Sequence, residues 1–173
     1  MTAPVPDSQE SPFDFESAFR EYYARVARLI ARIVRDPGRA EEIAVEVFYR
    51  LWRNRKAQGE KVGGWLYRTA VRAGLYEVRR EARRERVAHF FRPSARPASP
   101  HEVHESNEDQ RRVREVLTKM DPQRAELVLL RSAGLSYAEL AAALDLNPAS
   151  VGTLLGRAQQ VFRKEYVKRY GEP

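Results

Sequence analysis

"LSYAELAAALDLNPASVGTLLGRAQ", from Leu135 to Gln159, carries a turn at its centre, "DLNP", with a helical pattern on either side. Ser136, followed three residues later by Glu139, has the signature of a capping box, in which hydroxyl and carboxylate each satisfy the other residue's backbone amide. Gly134 just ahead suits the left-handed end of a preceding helix. Leu140 and Leu144 share a face, and the alanines between them leave room for a second helix to approach. Asn147 and Pro148 read as N-cap and first helical position, because the amide that proline lacks would be unpaired there anyway. The second helix is expected to bury Val151, Leu155 or Leu154, Ala158 and Phe162. Its other side shows Ser150, Gly152, Thr153, Gly156, Arg157 and Gln160. Two capped helices joined by about three residues match a helix-turn-helix that reads DNA. The same pattern also describes a helical hairpin packed into a core. Local chemistry decides the shape and leaves the use open.

The rest of the chain bears on that choice. Its 173 residues suit one or two small domains. With 43% hydrophobic and 32% charged residues it can bury a core, and no run approaches the roughly 20 apolar residues of a membrane span. The start, "MTAPVPDSQESP", is polar and proline-bearing, unlike a signal peptide, which predicts a disordered beginning to a cytoplasmic protein. Cysteine is absent, which removes disulfides, thiol catalysis and cysteine-bound zinc together. A net charge of +7 favours polyanionic partners, an argument about association and not about fold.

Where the charge lies is more informative than its total. Between Gly63 and Pro97 stand nine arginines against three glutamates, Glu77, Glu81 and Glu85. On a helix the glutamates form one stripe, while Arg72, Arg79, Arg83 and Arg86 fall near another. Glu–Arg pairing on a solvated helix accounts for part of this, but arginine is in excess. Trp65, Tyr67 and Tyr76 interleave with it and offer surfaces on which unpaired bases stack, although Trp65 in "GGWLYRTA" also suits the core. The reading is a basic nucleic-acid surface.

Every ordered segment reads as helix. From Phe13 to Val34 apolar residues recur every three or four positions. In "RDPGRAEE", Asp36 caps a second helix and Pro37 opens it. That helix is expected to bury Ala40, Ile43, Ala44, Val47, Phe48, Leu51 and Trp52, and to display Arg39, Glu42, Val45, Glu46, Tyr49 and Arg50. "NRKAQGEKVGG" is a loop whose glycines release the chain into the arginine-rich helix. "FFRPSARPASP", with three prolines and no period, is a linker. His101 and His104 in "HEVHE" lack metalloprotease spacing and a third ligand. Neither a phosphate-cradling glycine loop nor a serine–histidine arrangement is present, so no enzyme, metal or cofactor is expected.

In this order the parts resemble the extracytoplasmic-function (ECF) sigma factors of bacterial RNA polymerase. "AFREYYARVARLIARIVRD" looks like the opening helix of their region 2, and "AEEIAVEVFYRLW" is similar to their polymerase-binding helix. "GWLYRTAVRAGLYEVRR" looks like their promoter-melting helix. "MDPQRAELVLLRSAGLSYAELAAALDLNPASVGTLLGRAQ" resembles region 4 nearly throughout.

The resemblance implies an all-α fold of two small helical domains on a flexible linker: a disordered 1–12, region 2 over 13–88, linker 89–108 and region 4 over 109–173. It implies docking on core polymerase through Glu42, Val45, Glu46, Tyr49 and Arg50. Region 2 would hold the downstream promoter element through Trp65, Arg68, Arg72, Tyr76, Arg79, Arg80, Arg83 and Arg84. Region 4 would read the upstream element through Ser136, Asn147, Ser150, Gly152, Thr153, Gly156, Arg157 and Gln160. Partners would be core polymerase, promoter DNA and, for many members, an anti-sigma factor. The chain departs from the family at Val45, usually Gln, at Arg72, usually Asn, and at Tyr76, usually Asp. Arginine attracts phosphate but lacks an amide's paired donor and acceptor against a base edge. Two alternatives follow: a degenerate sigma-like protein that does not open promoters, and a helix-turn-helix regulator that never engages polymerase.

Overall fold

The computed structural model describes residues 13–91 and 104–172. Among these residues seven α-helices follow one another: α1 (Phe15–Ile33), α2 (Pro37–Arg53), α3 (Val62–Phe91), α4 (His104–Lys119), α5 (Pro122–Ser132), α6 (Tyr137–Leu144) and α7 (Pro148–Tyr170). A single 3-10 turn, Arg55–Ala57, separates α2 from α3. No strand occurs among the described residues. Residues 1–12 and 92–103, and with them the expected disordered start and most of the linker, lie outside the description. Both ends of the stretch read as linker are helical, since α3 runs on to Phe91 and α4 begins at His104.

Aspartate and asparagine set most helix starts. The side chains of Asp14, Asp36 and Asp121 accept from the amides of Ser17, Arg39 and both Gln123 and Arg124. Proline holds the first position of α2, α5 and α7, where its fixed φ is already helical.

The amphipathic stripes of α1 and α2 close on α3. Val26, Leu29, Ile30 and Ile33 meet Ile43, Ala44, Val47, Phe48 and Leu51, with Leu66, Ala70, Val71 and Leu75 beneath them. Trp52 is an exception to the expected core: it is 59% exposed, because its position turns it off the stripe that ends at Leu51. In the second bundle α4, α5 and α6 close on α7, burying Val116, Leu130, Leu140, Val151, Leu155 and Ala158. Leu155, not Leu154, takes the core position, and Phe162 is half-buried.

The two bundles meet. Helix α3, thirty residues long, packs on α1 and α2 and also on α4, α5 and α6, so both halves share one buried cluster. The glycines before Trp65 are not loop residues; they sit in the first turn of α3. A Cβ on Gly63 would lie 2.8 Å from the Tyr22 ring, and one on Gly64 would lie 3.1 Å from the Ala143 Cα of α6. Close approach, rather than freedom of φ, is what these positions require.

Candidate polymerase and promoter-DNA surfaces

The outward face of α2 is the first surface. Glu42, Val45, Glu46, Tyr49 and Arg50 are all exposed there, as the helical period predicts. Val45 at 55% and Tyr49 at 54% join Trp52 in an uncovered apolar strip. The Tyr49 and Trp52 rings are 6.0 Å apart, and the Arg53 guanidinium stands 5.8 Å over Tyr49. Contiguous exposed apolar side chains rimmed by charge mark a protein-binding face. Trp52 belongs to it, although its sequence position reads as core.

Arg39 organises the acidic rim. Its guanidinium donates to Glu42 at 2.9 Å, to Glu46 at 3.3 Å and, behind the helix, to Glu77 of α3 at 3.2 Å. Glu77 is only 3% exposed and also accepts from Arg80 at 2.7 Å. Burial pushes its carboxyl up, but the two guanidiniums outweigh burial and hold it below the usual carboxylate range. The acidic stripe of α3 is therefore not a uniformly solvated face, because Glu77 lies on the side that meets α2.

The second surface is α3 itself. Trp65, Arg68 and Arg79 are half-buried, Tyr76 is 61% exposed, and Arg83 and Arg84 are open to solvent. Arg80 is committed to Glu77, and Arg72 to Glu126 of α5 through contacts of 2.7 and 3.4 Å. These two are less available for phosphate than the arginine count implies. Beyond them, Arg79, Arg83 and Arg86 face Arg35 and Arg114 across a groove of about 1020 Å³ between α3 and α4. Burial, with Arg35 beside it, pushes the Arg114 guanidinium down against the opposing pull of Glu81, and Glu85 and Glu115 also line the groove.

The third surface is the helix-turn-helix, α6 and α7. The capping box is formed: Ser136 N donates to Glu139 at 2.7 Å and Glu139 N to the Ser136 hydroxyl at 3.2 Å. The Ser136 side chain is thereby used for capping. Asn147 accepts from Ala149 N at 3.0 Å. Asp145 closes α6 in the left-handed region at φ 55°, a conformation open to aspartate because its short carboxylate can satisfy nearby backbone. Gly134, at φ 93°, ends α5 as its position predicts.

Along α7, Ser150, Thr153, Arg157 and Gln160 are exposed, while Gly152 and Gly156 are partly so. A Cβ on Gly156 would meet nothing within 4 Å, and one on Gly152 only the Tyr137 ring at 3.4 Å. Packing does not demand these glycines; they leave the helix backbone open to a close ligand. Beside them lies a feature that sequence reading missed, Tyr137, exposed at the start of α6 with the Arg131 guanidinium 5.5 Å over its ring. The signal was there in an aromatic following a capping serine.

Among the described residues no cluster of three or more acidic, histidine or cysteine side chains could hold a metal. His101 and the side chain of His104 lie outside the description. No described helix is long and apolar enough to cross a membrane.

Two family models match the chain, Sigma-70 region 2 over residues 18–84 and Sigma-70 region 4 over residues 110–160. The ECF RNA polymerase sigma factor SigK of Mycolicibacterium vanbaalenii is 33% identical over 158 residues, covering 85% of this chain and 81% of that protein. SigK of Mycobacterium tuberculosis is 31% identical over 160 residues, covering 86% and 85%. Among solved structures, the sigma factor RpoE of Bartonella quintana, crystallised with the anti-sigma factor NepR, superposes with a TM-score of 0.51. That match has 16% identity and covers 88% of this chain and 96% of that one, a likeness of fold. Both sigma regions stand on one chain in the expected order, which sets aside a solitary helix-turn-helix regulator. The chain belongs to the ECF sigma factors, the family that directs RNA polymerase to specific promoters.

Proposed function

We propose that α2 is this sigma factor's dock on core polymerase, that α3 holds the unpaired strand of the downstream element, and that α7 reads the upstream element in the major groove. The exposed Val45–Tyr49–Trp52 strip with its Arg39-held acidic rim carries the docking assignment. The same surfaces are where an anti-sigma factor would compete. The site of action is the cytoplasm, where promoter DNA lies, and the chain acts by binding rather than by catalysis.

Docking is tested by Glu46→Lys. Glu46 is half-exposed and points away from the core, so the fold should persist. Affinity for core enzyme should fall by about 1–3 kcal/mol, the scale of an interfacial charge contact. An unchanged titration would remove Glu46 from the interface.

Arg83 and Arg84, exposed and without an ion pair among the described residues, unlike Arg72 and Arg80, are assigned to phosphates. Arg83→Gln should lower the slope of log affinity against log salt by about 0.7–0.9, one counterion per lost contact. A constant slope with altered promoter preference would show that Arg83 reads a base.

Arg157 is the one cationic side chain between Pro148 and Gln160 on α7, exposed and one turn from Thr153. Arginine's commonest specific contact is a bidentate one to guanine. Arg157→Ala should cost about 1–3 kcal/mol on the upstream element and relax preference at one guanine. Equal losses across a set of single-base variants at fixed salt would assign Arg157 to phosphate instead.

A further inference from the structure

Arg72, which departs from the family at the melting helix, has a partner in the other half of the chain. Its Nε donates to Glu126 Oε1 at 2.7 Å and its Nη2 to Oε2 at 3.4 Å. Glu126 is only 3% exposed, and Arg72 is its one hydrogen-bonding side chain among the described residues. A carboxylate so buried is costly without a cation beside it, so Glu126 ties α5 to α3.

The surfaces around the pair are fitted to each other. Gly64 of α3 lies against the backbone of Ala143, where any Cβ would crowd it. Arg32 of α1 donates to the Ser132 carbonyl of α5 at 3.2 Å. Leu66 and Val71 share a buried cluster with Leu140 and Leu144. Covering is one-sided. Arg68 and Arg72 line a small recess with Glu126 and Leu144, whereas Ser150, Thr153 and Arg157 on α7 stay exposed.

We infer that the Arg72–Glu126 pair is a latch: it holds the chain in a closed arrangement in which α5 and α6 cover the first half of α3 while the upstream-reading helix remains free. The closed chain binds duplex DNA through α7 and must open before α3 can take unpaired bases. The occlusion rests on the assignment of α3 proposed above; the latch itself does not.

The full chain has no cysteine, so Ala24→Cys in α1 and Lys164→Cys in α7, both at exposed positions, accept spin labels for a distance measurement. Glu126→Gln should move population from the short distance to longer ones. Affinity for a mixed-sequence single-stranded DNA oligonucleotide should then rise about three- to tenfold, because a closed majority lowers apparent affinity by the fraction competent to bind. Affinity for a duplex of the same length should stay constant. Arg72→Gln should open the distance equally, which keeps the test alive if Glu126→Gln fails to fold by circular dichroism. The exchanged pair, Arg72→Glu with Glu126→Arg, should restore the short distance. An unchanged distance in both single variants would overturn the latch. Opening without tighter single-strand binding would instead overturn the occlusion and count against the assignment of α3. An equal gain on duplex would overturn the one-sided cover.

Discussion

Phe48→Ala is expected to lower the stability of the chain by about 3–5 kcal/mol, the range for truncating a buried phenylalanine. Phe48 is almost fully buried on α2 and is the hub of an aromatic cluster on α1. Its ring meets Phe19 edge-on at 4.9 Å and Phe15 at 6.4 Å, and is tilted against Tyr23 at 5.8 Å. Alanine would remove both the buried area and the edge-to-face contacts, and the stiff rings around it cannot close the gap. Thermal unfolding should shift down by roughly 6–20 °C for a chain of this size. Affinity for core enzyme should fall as well, because Val45 and Tyr49 are presented by the helix that Phe48 anchors. Phe48→Leu, which keeps most of the volume, should do far less harm. A loss below about 1 kcal/mol in urea unfolding would mean that the cluster collapses around the vacancy and does not organise α2.

Arg39→Ala should cost about 2–3 kcal/mol at neutral pH, less than the full penalty for orphaning a buried ion because Arg80 still faces Glu77. The pH dependence identifies the cause. In the folded chain Glu77 is held below the usual carboxylate range, with Arg39 and Arg80 outweighing the opposing effect of burial. Stability from a depressed carboxyl is present above its unfolded pKa and is lost as pH falls through the folded value. The gap between wild type and Arg39→Ala should therefore be widest near neutrality and close only as pH falls through the depressed folded value, below the usual carboxylate range, where Glu77 becomes protonated in both. A gap independent of pH would place the loss in the packing of the Arg39 stem. Because Arg39 also holds Glu42 and Glu46, the variant should weaken core binding even where it remains folded.

The sequence by itself determined the helical character, the caps at Asp36, Ser136 and Asn147 and the order of the two regions, but not where α3 begins and ends or where α4 starts. Those features are local: a capping serine, a first-turn proline or a stripe at helical spacing acts within one or two turns. The exposure of Glu42, Val45, Glu46, Tyr49 and Arg50 followed from one helix's period, and so did that of Ser150, Thr153 and Arg157. Trp52 was misread because size and hydrophobicity argue for burial, while only the packed fold shows that it stays 59% exposed. Gly63 and Gly64 read as chain release, and their reason is steric, supplied by Tyr22 and Ala143 from elsewhere in the chain. The fate of individual arginines also lay beyond the sequence. Arg80 and Arg72 carry the same charge as Arg83 and Arg84, yet they are taken by Glu77 and by Glu126, the latter 54 residues away. An ion pair is decided by which carboxylate the fold desolvates beside it, and that is a property of two helices packed together, which only the tertiary structure sets.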